Sequence, residues 1–398
     1  MSTDDNGRIK VGFVTENALG GVIYVILGLI ELLDRDRFDF RVGLINYKWR
    51  EFAKVEDVFR KVGIEPFVIT ISHEENKYRV LDRFQRDFLS HLDLMVSGYK
   101  DEMVAYCIGR LKLPHVMIVH QDDPEETSIA HKFSGIVDYY TPISEKVERN
   151  LKAVFDSSEW HRIERRPHAI PKLDLPFSDP HSERFNVLFV GRFTAWKGAD
   201  KLQRLGELLR ESGCDLDFTI VTNGVGEREF RESWPYNHST AFLSKLTNHE
   251  VQRVMANANV IVMPSRSEGF PVALVEAMRR GLVPVCSDLE TAFPELIDHG
   301  SNGYMISLDD MESFRDAVIR LKNDRALLAS MGESAIRKVD DKFDPHRNAM
   351  AYQKTFLKAI ASPRERHYPD YWPLLGRLDR PYIPAPLFSL VKRLLGAG

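Results

Sequence analysis

The sequence predicts an α/β protein built from two doubly wound, Rossmann-like domains facing across an interdomain cleft. Three observations carry this expectation. The chain has 398 residues, more than a single hydrophobic core usually holds. Short apolar runs alternate with helical stretches, the pattern of parallel sheets with helices on their faces. A proline-rich segment, from Pro167 through Pro171 and Pro176 to Pro180, interrupts the alternation, which then restarts.

The first half opens with a buried strand at Ile9 to Thr15. Gly20-Gly21 then starts an apolar helical run that reaches Leu33. Further strands are predicted at Phe40 to Ile45, Pro66 to Ile71, Leu92 to Ser97 and His115 to Val119. Beyond the proline segment, strands are expected at Asn186 to Val190, Asp217 to Val221, Val260 to Met263 and Val283 to Cys286. Helices are expected at Asp200 to Glu211, His249 to Ala256 and Val272 to Arg280. Pro271 suits the first position of the last of these helices, and Gly281 suits its stop. His346 to Ile360 reads as one more helix. The expected division is an N-terminal domain over 1–172, a C-terminal domain over 173–345, and a returning helix with an aromatic, basic tail over 346–398. Ligands of such sheets bind beyond the carboxyl ends of the strands.

Composition narrows the function classes. A net charge of -4 argues against a nucleic-acid binder driven by bulk charge. Three scattered cysteines, Cys107, Cys214 and Cys286, give neither a disulfide framework nor a metal motif and point to a reducing compartment. Met1 to Asn6 is polar and acidic, unlike a signal peptide. The longest apolar run, Ala18 to Ile30, is too short to span a bilayer. These features suggest a cytoplasmic protein. The end of the chain, around Lys392-Arg393, is a short basic amphipathic segment. Packing against the N-terminal domain is the preferred reading, and docking on the inner face of a membrane is the other.

Two motifs carry chemistry. The first is Ser267-Glu268-Gly269-Phe270-Pro271, followed by Glu276 eight positions after Glu268. Glu268 should lie in the loop before a helix, and Glu276 about one and a half turns into it. The free N–H groups of that helix start bring a partial positive charge to the same turn. Two acceptors beside a row of donors suit a polyhydroxylated, anionic ligand, and a sugar nucleotide is one. The second motif is a buried strand ending in Gly191, then Arg192, Lys197 and Gly198. Arginine offers a planar fork to phosphate oxygens and lysine a compact charge, so a diphosphate can be held there without metal. Asp34-Arg35-Asp36 and Asp215-Leu216-Asp217 imitate an acidic metal triplet. The first sits in a turn and the second leads into a strand, so both read as solvated turn residues.

In this order and spacing, Gly191-Arg192, Lys197-Gly198, Pro264-Ser265, the Glu268/Glu276 pair, Pro294-Glu295-Leu296-Ile297 and Asn302-Gly303-Tyr304 resemble the family-4 glycosyltransferases of the two-domain GT-B fold. The likeness covers most of the C-terminal half. It is looser in the N-terminal half, at Gly20-Gly21 and His120, and stops near Ser362. The resemblance implies a retaining, metal-independent, cofactor-free transfer from a nucleotide-diphosphate sugar to a glycan or lipid-linked acceptor. Arg192 and Lys197 would grip the diphosphate. Glu276 would bond the ribose, and Glu268 with Gly269 and Phe270 would hold the transferred sugar. Gly20 and Gly21 would let backbone approach the phosphates, and His120 would sit near the sugar on the acceptor side. Asn223, in Thr222-Asn223-Gly224, is a candidate for base or ribose contacts. Ser244 stands where the family often has glycine, which leaves the base open. A retaining hydrolase needs two carboxylates about 5 Å apart at the anomeric carbon. With Glu276 on the ribose, only Glu268 is near it, which disfavours a covalent carboxylate intermediate. An epimerase or phosphorylase on the same plan, and a non-catalytic sugar-nucleotide-binding subunit, are the alternatives.

Overall fold

The structure is a computed structural model and describes residues 7–18, 20–50, 55–222 and 227–394. Its contacts divide the chain into two units. The first comprises the described residues up to Ile143, Val147–Ala169, and those from His346 onward. The second comprises Ser144–Lys146 and Ile170–Pro345.

The first unit holds strands β1 (Ile9–Glu16), β2 (Phe38–Tyr47), β3 (Phe67–Ile71), β4 (Leu94–Ser97), β5 (His115–Val119) and β6 (Tyr139–Pro142). The second holds β7 (Asn186–Val190), β8 (Asp217–Val221), β9 (Thr240–Leu243), β10 (Val260–Met263), β11 (Val283–Ser287) and β12 (Tyr304–Ile306). Each set forms a six-stranded sheet, in the orders β3-β2-β1-β4-β5-β6 and β12-β11-β10-β7-β8-β9, and every pairing is parallel. The chain is therefore an α/β protein of two Rossmann-like domains, the GT-B class. Both sheets repeat the doubly wound order, whose direction reverses between β1 and β4 in one and between β7 and β10 in the other. Loops leaving those neighbouring strands diverge to opposite faces and open a crevice between them.

The central strands are predominantly apolar because helices cover both faces; β10 is buried throughout as VIVM. The second core runs through Phe189, Phe218, Val260, Val262, Val285 and Phe314. Three strands are additions to the sequence reading: β6, β9 and β12 have four, four and three residues and lie at sheet edges. They read YYTP, TAFL and YMI, without the unbroken aliphatic run that marks the equally short β10. Pro271 is displaced by one residue from its expected place. It precedes the helix Val272–Arg279 as its N-cap rather than opening it. Gly281, with φ +84, follows the helix end as expected.

After the helix Pro345–Ala361 the chain runs over the first unit as a strap. Arg366 forms a buried bidentate pair with Asp138 at 2.9 and 2.8 Å. Tyr368 bonds the Leu111 carbonyl, and Trp372 stacks on Tyr78 at 5.7 Å. Asp379 caps the amide of Lys77 at 2.7 Å. The tail ends in the helix Ala385–Leu394. No described helix is long and apolar enough to cross a membrane.

Candidate active site

The site of the second unit is assembled from the loops that follow β7 and β10, the two strands at its reversal point. After β7 the chain passes Gly191 and Arg192, makes a tight turn over Ala195–Lys197, and enters the helix Ala199–Glu211 through Gly198. Gly198 has φ +71, and a Cβ there would stand 1.8 Å from the Pro264 carbonyl oxygen. Only glycine lets the loop lie this close to the end of β10. Arg266, from the loop after β10, locks the approach. Its amide donates to the Trp196 carbonyl at 2.8 Å. Its guanidinium donates to the Ala195 carbonyl at 2.6 Å and to both oxygens of Asp200 at 2.7 and 2.6 Å.

This clamp brings Lys197 against Glu268. The ammonium donates to both carboxylate oxygens, at 2.7 and 2.6 Å, and the Ser265 hydroxyl adds a third bond at 2.8 Å. Glu268 is only 6% exposed. A carboxylate so buried needs a cation or several donors to remain charged, and it has both. Burial, and then the charge of Glu268, hold the Cys286 thiol well above its ordinary range, so that sulfur is a neutral wall. Arg192 is exposed and has no ion-pair partner among the described residues. One cation of the motif is thus occupied by the acid of the other, and the second projects free.

Glu276 has a different setting. It lies on the buried face of the helix Val272–Arg279 and is 4% exposed. Asn248 and Gln252 both donate to its Oε1, at 2.7 and 3.1 Å, so Oε2 keeps its acceptor capacity. Burial pushes its carboxyl up from 4.5 to about 7, against the lowering effect of the Asn248 bond and of Arg279. Gly269, Phe270 and Pro271 join the two acids. The Phe270 ring packs on Phe343 at 5.5 Å, which fixes the loop entering the helix.

The remaining residues singled out in the sequence lie elsewhere. Gly20 and Gly21 start the helix Gly21–Leu32 after β1, with no side-chain cap and open space where a Cβ on Gly20 would point. Gly20 is extended, with φ -175, so its backbone would accept another residue and its smallness serves access. His120 follows β5. Its ring packs on His168 at 5.6 Å, its Nδ1 is buried without a partner among the described residues, and burial pushes its pKa down to about 4. It is therefore neutral at physiological pH. Asn223 and Gly224 lie outside the described residues. Asp34 accepts its own turn amides from Asp36 and Arg37, and Asp215 and Asp217 pair with Arg184. Both acidic triplets are structural. The sequence reading quoted Ser265 within the motif but gave it no role, and it missed Arg266, Asn248 and Gln252. A threonine–glutamate capping box, Thr247 with Glu250, marks the start of the helix carrying the last two, but no local signal says which acid that helix faces.

Comparisons with known proteins bear on the family and the fold. Residues 174–338 match the family model of Glycosyl transferases, group 1. The chain is 26% identical over 214 residues to the amylovoran biosynthesis glycosyltransferase AmsK of Erwinia amylovora, covering 52% of each. It is 24% identical over 278 residues to the uncharacterized glycosyltransferase MJ1178 of Methanocaldococcus jannaschii, covering 67% of this chain and 75% of that one. The crystal structure of Anabaena Alr3699/HepE in complex with UDP-glucose superposes with a TM-score of 0.72 at 16% identity, over 88% of this chain and 100% of that one. The last likeness is one of fold. The match to AmsK spans about half the length of that relative.

Two outcomes follow. Lys197→Met leaves Glu268 buried with Ser265 alone, which should cost roughly 2–3 kcal/mol in urea denaturation. Adding Glu268→Gln should restore most of it. Wild-type stability of the single variant would show that the pair does not hold Glu268. For Glu276, the folded carboxyl titrates near 7 against 4.5 in the unfolded chain. Its stabilising contribution is full below 4.5 and is lost as pH rises through 7. Glu276→Gln cannot ionise, so its stability should gain on the wild type by on the order of 3 kcal/mol between pH 5 and pH 8. A pH-independent gap would contradict the buried setting.

Proposed function

We propose that the chain is a family-4, retaining, metal-independent hexosyltransferase that moves a sugar from a nucleotide-diphosphate sugar to a glycan or lipid-linked acceptor. The observation that carries this reading is the Lys197–Glu268 pair beside unpaired Arg192 at the β7/β10 reversal point. In this reading the diphosphate takes Lys197 from Glu268 and meets Arg192. The freed Glu268 carboxylate then accepts hydroxyls of the transferred sugar, together with the backbone of Gly269 and Phe270. Oε2 of Glu276 accepts a ribose hydroxyl.

The chemistry needs charge stabilisation where the sugar–phosphate bond breaks. The acceptor oxygen forms a bond to the anomeric carbon on the face from which the diphosphate departs. The carbon–oxygen bond to the β-phosphate breaks, and that phosphate oxygen takes the acceptor's proton. Lys197 and Arg192 hold the charge that grows on the leaving group, and one preorganised donor of this kind contributes about 3 kcal/mol. Within the first unit, neutral His120 offers a hydrogen-bonding imidazole and the helix start at Gly20-Gly21 offers free amides. The naming of AmsK and the UDP-glucose held by HepE support a polymer-building role and a uridine donor. We place the reaction in the cytoplasm, with the helix Ala385–Leu394 meeting the inner leaflet if the acceptor is lipid-linked.

The test is a thermal-shift screen of UDP-glucose, GDP-mannose and ADP-glucose in EDTA, followed by NMR of the reaction product. One nucleotide sugar should raise the melting temperature without metal, and its anomeric configuration should persist in the product. Arg192→Ala should weaken its binding at least tenfold while leaving the fold intact, because the side chain is exposed and unpaired. Absence of any shift, or an inverted product, would overturn the proposal.

A further inference from the structure

At the carboxyl ends of β1, β2 and β3 the first unit presents an aromatic cluster that none of the roles above uses. Trp49 is 47% exposed, although its ring is stacked on His73 at 4.4 Å and 23° and leans on Tyr47 at 5.3 Å. A lone exposed tryptophan needs no explanation. This one is held by two rings while 47% of it stays exposed. Arg50 lies over the Tyr47 ring at 5.0 Å and donates to both oxygens of Glu16 at 2.7 and 3.0 Å. Lys48 pairs with Glu74 at 2.7 Å.

The support beneath is buried and polar. The Tyr47 hydroxyl donates to Asp101 at 2.9 Å, and Asp101, 1% exposed, also receives Lys77 at 2.7 Å. Lys77 is in turn capped by Asp379 of the strap. The cluster is thus fixed from β2 to the tail, and a fixed aromatic loses little entropy when it binds.

We propose that Trp49, braced by His73, is a stacking platform for a sugar ring of the acceptor, a role that rests on the transferase reading. The apolar C–H face of a pyranose lies on the indole, and its outward hydroxyls reach the Arg50–Glu16 and Lys48–Glu74 pairs. Each flanking cation is paired with an acid, Arg50 with Glu16 and Lys48 with Glu74, which disfavours a phosphate or an anionic headgroup as the occupant. A single indole is too small to seat an acyl chain.

The test compares wild type, Trp49→Ala, Trp49→Phe and His73→Ala on a glycan microarray. The nucleotide-sugar thermal shift is measured in parallel. The wild type should retain a subset of glycans. Trp49→Ala should lose that signal at least tenfold, His73→Ala should lose less, and Trp49→Phe should keep part of it, all with the nucleotide-sugar shift unchanged. Equal retention by Trp49→Ala, or no retained glycan in the wild type, would overturn the platform. Loss of the nucleotide-sugar shift in the wild type would instead strike the transferase reading.

Discussion

A buried carboxylate at the mouth of a parallel sheet must be neutralised, and in this chain Lys197 does so for Glu268. The rest of the second unit's site is arranged around that requirement. Glycine at 198 allows the loop after β7 to touch the end of β10, and the Arg266–Asp200 fork keeps it there. A lysine satisfied by a carboxylate is stable without ligand, yet its ammonium remains exchangeable because it is part exposed, at 28%. A diphosphate carries more negative charge than one carboxylate. On the proposed function it would compete for the ammonium and release Glu268 to accept hydrogen bonds, while the Arg266–Asp200 fork keeps the loop in place.

Glu276 solves the same problem by other means. It lies deep in the helix, with neutral amides on one oxygen and guanidinium groups further off. The result is an acid poised near neutrality rather than one firmly charged. The two acids of one motif thus differ in electrostatic character because one meets a cation directly and the other meets dipoles. Equal treatment of the two carboxylates, natural from their spacing alone, would miss this division.

How much of this was legible in the sequence depended on how local each signal was. The central strands were readable because apolar runs bounded by turn residues need no partner to be recognised, and Asn186 to Val190 and His115 to Val119 were placed to the residue. The edge strands β6, β9 and β12 were not, since YYTP, TAFL and YMI lack the unbroken aliphatic run that made the equally brief β10 readable. Within the site, Lys197-Gly198 and Glu268 stand out through their motifs. Their direct contact joins positions 71 apart, and the Asn248–Glu276 bond joins positions 28 apart. The first pairing is set by which loops leave neighbouring strands, and the second by the packing of the helix before β10 against the helix after it. The cluster around Trp49 was invisible for the same reason, as His73 reaches it from the next strand end.

The decisive observation is a structure of the protein with its nucleotide sugar bound. The account predicts Lys197 and Arg192 at about 3 Å from diphosphate oxygens, Glu268 released onto the sugar's hydroxyls, and Glu276 on the ribose. A diphosphate held elsewhere, with the Lys197–Glu268 pair still closed, would contradict it.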